Sequence, residues 1–285
     1  MAVVDLERLV DSESQIASFP AIVNRISQAV NDPRGSSDTV SRIITEDPAL
    51  AARLLKIANS AFYASPFPVK SISRALTMIG TKQLQDLVTA ISTVEMCSKY
   101  AGNSQINMDA FWRHSVACGV VARVIATAKR IMNTERFYLG GLLHDVGHLI
   151  IYTKLAEHTG PIIERSKAGK DPVYGLEREI LGFDHCQVGG KLLKAWQLPA
   201  ELVVPVLYHH TPERAEDFHM ETAIIHVAEI IASSMLYNSD IEAHVPPLDP
   251  AAWDRIGLPL SAVPTILEQV QVQYDDAVKM FTKSK

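Results

Sequence analysis

The chain has 285 residues, 47% of them hydrophobic and 21% charged, with 14 Gly and 15 Pro. That composition belongs to a globular protein and excludes a disordered, collagen-like or low-complexity chain. The 27 Lys and Arg against 32 Asp and Glu leave a net charge of −5, short of the cationic surplus that non-specific nucleic-acid binding requires, so no direct nucleic-acid binding is expected. Cys97, Cys118 and Cys186 are odd in number and show no CxxC spacing, which argues against a disulfide framework and for a reducing cytoplasm. The acidic N-terminus does not read as a signal peptide, and no run approaches 18 uncharged apolar residues, so a cytoplasmic chain without membrane contact is expected.

Along the chain, apolar residues recur at three- and four-residue intervals. Ser37 or Asp38 precedes the periodic Val40, Ile43 and Ile44. Asp47-Pro48 opens the next helix, with Asp capping free N–H groups and Pro in the first turn, ahead of Leu50, Leu54, Ile57 and Ala58. Ser71 caps a third, with Ile72, Ala75, Leu76 and Ile79 on one face and Gly80 as its stop. A small, polar stretch from Tyr100 to Met108 then separates a front helical half (1–100) from a histidine-bearing half (101–236) packed against it. Asp184 and Gln187 have capping-box spacing before a helix ending near Trp196, and Pro199 starts one that runs towards His209. The tail (237–285) reads as a loop around Pro246-Pro247 and an amphipathic helix through Val263, Ile266, Leu267, Val270, Tyr274 and Val278. With no period-two strand and no Asn-Gly hairpin, the expected fold is all-α.

Most of the ten histidines fall in the second half, several beside an acid. His114 lies in FWRHS, His144-Asp145 in GLLHDVGH, His185 in GFDHC, His209-His210 in LYHHTP, and Glu229 in HVAEI. Imidazole and carboxylate donors together suit borderline ions such as Zn, Fe, Mn or Ni. Such a site would be assembled from several helices, as in the cores of helical bundles. Each residue also has a plainer role open to it. His114 could be a core histidine bonded to a carbonyl, and His185 a first-turn residue without a partner. The His209-His210 pair could offset a helix C-terminal dipole, and Asp184 reads more readily as a cap. Glu229, on a very apolar helix, is hardest to explain without a partner, because an unpaired buried carboxylate is costly.

The order His114, His144-Asp145, His185, His209-His210, then an acid at 229 resembles the HD superfamily of metal-dependent phosphohydrolases. The segments FPAIVNRISQAVNDP, IITEDPALAARLLKIANSAFYASPFPVKSISRALTMIGTKQLQDLV, GLLHDVGHLI, EILGFDHCQVGGKLLKAWQLP and VVPVLYHH resemble the HDOD (HD-related output domain) family over about residues 12 to 235. The resemblance implies an HD-like multi-helix domain behind a packed N-terminal half, working as a bacterial signal-transduction module without turnover. It also implies a metal set of His114, His144, Asp145, His185, His209, His210 and Glu229, holding one or two divalent ions (Fe, Mn, Ni or Zn). Two departures bear on chemistry. Glu229 stands where the pattern has Asp, and its extra methylene shifts the carboxylate. His148 stands where hydrolases of cyclic di-GMP carry a phosphate-contacting Lys, and it is not a permanent cation. An active phosphohydrolase, using Asp145 and His148 on a nucleotide or cyclic dinucleotide, is the alternative.

On this reading the chain has no attached sensor, so input is expected from a signalling protein partner or from a nucleotide or cyclic dinucleotide ligand. The IANSAFY segment, Ile57 to Tyr63, is expected to serve packing and docking. Ala58 to Ser65 with the loop Pro66 to Pro68 is the candidate partner surface, where Phe62 and Phe67 are the side chains to test.

Overall fold

The computed structural model describes residues 5–10, 20–60, 63, 65, 67–97, 107–168, 171–236 and 245–281, with side chains to 278. Phe62, Pro66, most of the Tyr100–Met108 connection and residues 237–244 lie outside that set. The described residues contain helices and no strand, as the periodicity predicts. None of the helices is long and apolar enough to cross a membrane.

The front half comprises α1 (Ala21–Asn31), α2 (Ser37–Thr45), α3 (Pro48–Ala58), α4 (Ile72–Ile79) and α5 (Thr81–Cys97). Caps set these boundaries much as the sequence predicts. The Asp47 carboxylate accepts from the N–H groups of Ala49 and Leu50, and the Ser71 hydroxyl from that of Arg74. At α2 the cap is Ser36, one residue earlier than the sequence reading, because its extended backbone lets the hydroxyl reach Thr39 N–H while Ser37 already turns into the helix. Helix α5 is buried nearly all round and packs on α1, α3 and α4 and also on a helix of the second half.

The second half comprises α6 (Met108–Ala128), α7 (Glu135–Leu143), α8 (Val146–Lys154), α9 (Ala156–Ala168), α10 (Val173–Leu181), α11 (His185–Ala195), α12 (Ala200–Tyr208) and α13 (His219–Met235). A short helix α14 (Pro250–Ile256) precedes α15 (Val263–Phe281). The sequence reading named no helix between the loop around Pro246-Pro247 and Val263, where α14 lies. Its opening is the same Asp-Pro device as at α3, with the Asp249 carboxylate capping Ala251 N–H and Pro250 in the first turn. Helix α15 lies along α6 and touches α3.

One apolar core runs from Val10 to Val278. Fully burying one of its Leu or Ile side chains contributes roughly 1.5–3 kcal/mol, so this core dominates the balance against chain entropy. A polar junction lies inside it. The Tyr63 hydroxyl donates to Glu135 Oε1 (3.1 Å), Arg123 Nε lies 3.6 Å from the same oxygen, and Arg123 Nη1 donates to Gln273 (2.9 Å). Asn59 ties down the loop after α3, donating to Val69 O (2.8 Å) and accepting from Val69 N–H (2.7 Å). Two residues of the IANSAFY segment therefore act in loop closure and helix docking.

Two glycine contacts let the site helices approach closely. A Cβ on Gly141 would lie 2.7 Å from Gly119 Cα, where α7 crosses α6. A Cβ on Gly147 would lie 2.0 Å from the His185 carbonyl oxygen and 2.8 Å from Gly189 N, where α8 meets α11.

Candidate metal centre

Seven helices deliver side chains to one buried volume. Helix α6 carries His114, and the α7–α8 junction carries His144 and Asp145, with His148 one turn into α8. Helix α11 begins with His185 and Cys186, α12 ends just before His209 and His210, α13 carries Glu229, and α10 carries Glu177. All are buried, and the most open, His210, is 9% exposed. All seven residues anticipated as ligands, His114, His144, Asp145, His185, His209, His210 and Glu229, are brought together there, and His148 joins them.

Asp145 is the hub. Its Oδ2 lies 3.1 Å from His144 Nε2 and 3.6 Å from His114 Nε2. Its Oδ1 lies 3.4 Å from His185 Nε2, 3.6 Å from His148 Nδ1 and 3.8 Å from His209 Nε2. Neither oxygen makes a hydrogen bond of good geometry with any of them. Burial would raise this carboxyl, but the imidazoles of His144 and His148 outweigh it and hold it well below the ordinary carboxylate range. Glu229 Oε2 stands 3.5 Å from His210 Nδ1 and 4.0 Å from His209 Nε2. The longer Glu side chain thus still reaches the cluster.

Hydrogen bonds from the far side of three rings decide which nitrogen faces inward. His144 Nδ1 is 2.7 Å from Gly141 O, His209 Nδ1 is 2.8 Å from Val206 O, and His185 Nδ1 is 2.6 Å from Glu177 Oε2. Those oxygens can only accept, so each Nδ1 carries a proton and each ring turns its Nε2 into the cluster, where it can bind a metal once it is bare. The Nε2 atoms of His185 and His209 lie 3.4 Å apart, and those of His114 and His144 3.3 Å apart. Nitrogens this close can share a proton or hold a metal ion between them. With metal–nitrogen bonds of about 2.0–2.1 Å, the edge of a tetrahedral site is about 3.4 Å and of an octahedral one about 3.0 Å. The donor set and its spacing therefore fit divalent metal. His114, His144 and Asp145 form one group able to hold an ion, and Asp145, His148 and His185 another, with the Asp145 carboxylate shared between them.

His148 lies between two carboxylates. Its Nδ1 faces Asp145, its Nε2 lies 3.3 Å from Glu177 Oε1, and its ring stacks on His185 at 3.7 Å between centroids. Burial would lower its pKa, but Glu177 and Asp145 prevail and raise it to about 10. Glu177 in turn is brought down to about 2, because His185 and His148 outweigh its burial. Burial, reinforced by neighbouring imidazoles, lowers His114 to about 4 and holds His209 and His210 well below their ordinary value.

Asp184 is a cap. It closes the capping box with Gln187 and accepts from Arg178 Nε at 2.6 Å. Arg178 also lies over the Tyr174 ring (5.3 Å), and Tyr174 stacks on His210 (4.3 Å), covering the most open edge of the cluster.

Sequence reasoning missed Glu177, which accepts from both the backbone N–H (2.9 Å) and Nδ1–H of His185. A signal was present: Glu177 sits inside the apolar stripe Val173, Leu176, Ile180, Leu181, just as Glu229 sits on an apolar helix. It also missed His226, whose Nδ1 donates to His209 O (2.7 Å) and whose Nε2 accepts from Asp249 N–H (2.9 Å), fixing the backbone that carries His209. Cys186 is a third, with Sγ 3.6 Å from His185 Nε2 and 3.7 Å from His209 Nε2.

Comparison with known proteins places this geometry. A protein of Treponema pallidum (strain Nichols), named only as uncharacterized, is 22% identical over 213 residues, and the match spans 74% of this chain but 40% of that relative's length. The crystal structure of an HDOD domain protein of unknown function from Geobacter sulfurreducens superposes with a TM-score of 0.74 at 25% identity, covering 98% of this chain and 100% of that one. A protein of Shewanella amazonensis SB2B, provisionally named a phosphohydrolase, superposes with a TM-score of 0.75 at 22% identity over 97% and 98% of the two chains, a likeness of fold. The family model of the HDOD domain matches residues 16–212, a span that takes in most of the front half and six of the seven anticipated ligands, all but Glu229; on that match the chain belongs to the HDOD domain family.

Proposed function

We propose that the chain is a regulatory module in which the histidine and carboxylate centre holds divalent metal to lock together the helices that carry it, and in which signal passes by binding rather than by turnover. The observation that carries this reading is the enclosure of His148 between Asp145 and Glu177, in a cluster whose members are all buried. The residue where a phosphate-contacting cation would be needed is engaged by two carboxylates. A hydrolase needs such a clamp as well as ligands. A bound ion would supply Lewis acidity and activated water, and His114, His144, Asp145, His185, His209, His210 and Glu229 would hold it. Input would come from a signalling protein partner, with the loop carrying the 72% exposed Phe67 as the surface offered to it, or from a nucleotide or cyclic dinucleotide.

The test is incubation of the purified chain with cyclic di-GMP, (p)ppGpp and a chromogenic phosphate ester, each with Mn, Fe, Ni and Zn. No product is expected. Product that disappears in both His144→Ala and Asp145→Asn would overturn the regulatory reading. It would establish the alternative, a metal-dependent phosphohydrolase, which the sharing of Asp145 between two imidazole groups favours.

A further inference from the structure

Around the Oδ1 side of Asp145 the donors include a sulfur. His185 and Cys186 are the first two residues of α11, and the helix N-terminus directs both side chains at His209 and His210. The ligand atoms of these four residues all lie within 4.8 Å of one another. A tetrahedral ion with metal–nitrogen bonds of about 2.0–2.1 Å and a metal–sulfur bond of about 2.3 Å has N···N edges of about 3.4 Å and N···S edges of about 3.6 Å. Four edges can be compared with those values. His185 Nε2 to His209 Nε2 is 3.4 Å, and His185 Nε2 to His210 Nε2 is 3.2 Å. Cys186 Sγ stands 3.6 Å from His185 Nε2 and 3.7 Å from His209 Nε2.

A simple core thiol does not account for that arrangement. Its one S–H can donate to one acceptor, whereas two Nε2 atoms face the sulfur, both turned inward by the Nδ1 bonds to Glu177 and Val206. A single cation at the centre satisfies the sulfur and the lone pairs at once. Burial and the carboxylates of Asp184, Glu177, Glu229 and Asp145 push the Cys186 thiol up, so a bound cation is what would hold it as a thiolate.

We infer that Cys186 is a thiolate ligand, completing a His185–Cys186–His209–His210 site. This rests on the reading of the cluster as a metal centre and adds a chemical identity to it. A thiolate selects Zn or Fe(II) and works against Mn and Mg, whose preferred donors are oxygen. Asp145 would then stand beside this ion and turn its Oδ2 towards His114 and His144.

The experiment is zinc K-edge X-ray absorption on the whole chain reconstituted with Zn, after elemental analysis has counted the bound metal. One sulfur scatterer at about 2.3 Å beside nitrogen or oxygen donors is expected in the unaltered protein, which makes the result independent of whether any variant folds. In Cys186→Ala that shell disappears, and zinc affinity falls by more than about tenfold, the lower end of what outer-shell changes produce. With Co(II) in place of Zn, a thiolate-to-metal charge-transfer band is present in the unaltered protein and absent from the variant. Bound zinc surrounded by nitrogen and oxygen alone would overturn the thiolate and leave the metal-centre reading standing. Manganese displacing zinc at equal concentration would do the same. A protein that takes up no metal under any of these conditions would overturn both.

Discussion

Gly147→Ala is the sharpest perturbation of the geometry that gathers the ligands. A Cβ at this position would lie 2.0 Å from the His185 carbonyl oxygen, a backbone atom that cannot swing aside, and 2.8 Å from Gly189 N. Restoring the 3.4 Å of an ordinary contact requires α8 and α11 to part by about 1.4 Å. Overpacking of this kind costs typically about 1–3 kcal/mol. Against a domain stability of about 5–15 kcal/mol, the variant should still fold. The centre should not survive, because Asp145 sits two residues before Gly147 and meets His185 at 3.4 Å, and such constellations tolerate only about 0.5 Å of displacement. The assay pairs denaturant unfolding, which reads the 1–3 kcal/mol, with metal content by elemental mass spectrometry. The expected result is a folded variant of lower stability that has lost most of its metal. A variant with unchanged stability and unchanged metal content would refute the argument that the α8–α11 approach sets the site.

Glu177→Gln should weaken metal binding roughly 10–100-fold while the protein stays folded, because it removes the charge that holds the His185 Nδ1 proton; competition with a chromophoric chelator measures this, and unchanged affinity counts against a positioning role. Stripping metal from protein that carries it at 100 times its dissociation constant should remove about 2.7 kcal/mol of stability, a drop of several degrees in Tm. The check is a thermal scan with and without dipicolinate, and an unchanged Tm after verified metal loss opposes a clamping role. Burial raises the Asp86 carboxyl from 3.8 to about 7, although Lys82 and the Asn133 hydrogen bond pull the other way. Between those values the folded state holds a proton that the unfolded chain has released, so this group's contribution is present below about pH 4 and is lost as pH rises through 7. The loss has an upper bound of about 4 kcal/mol. Asp86→Asn should flatten that dependence and raise stability at pH 8, as unfolding curves at pH 5 and 8 would show. Phe67→Ala should change stability by less than about 0.5 kcal/mol, because the ring is 72% exposed, whereas Tyr63→Phe should cost about 1–2 kcal/mol through the lost bond to Glu135. Equal losses in the two variants would contradict these assignments.

The site shows both the reach of the sequence and its limit. The anticipated ligands were legible because histidines beside acids, in a fixed order along helices, are a chemical statement made by residue type. Glu229 was legible because charge on an apolar helix demands a partner. Glu177 carried the same kind of signal on α10, but its partner, His185, lies on another helix, and sequence separation does not reveal which carboxylate meets which ring. His148 was placed one turn beyond His144 from sequence, but whether it met phosphate or carboxylate depended on where α10 came to lie. The loop after α3 divided in the same way: Phe67 is exposed, while Asn59 and Tyr63 are engaged within the fold.

By itself the sequence determined the helical class, the caps at Asp47, Ser71 and Asp184, the spacing of the core stripes and the residue types of the centre. These are local properties, set within one or two turns by hydrogen bonding to nearby N–H groups and by the 3.6-residue period. Tertiary structure alone decided that Asp145 is the hub, that Glu177 orients His185, that Cys186 stands at tetrahedral distance from two imidazoles, and that Gly147 lets α8 meet α11. Each of those is a distance between helices far apart in the chain, set by close packing of the shared core, and no periodicity within one helix contains it.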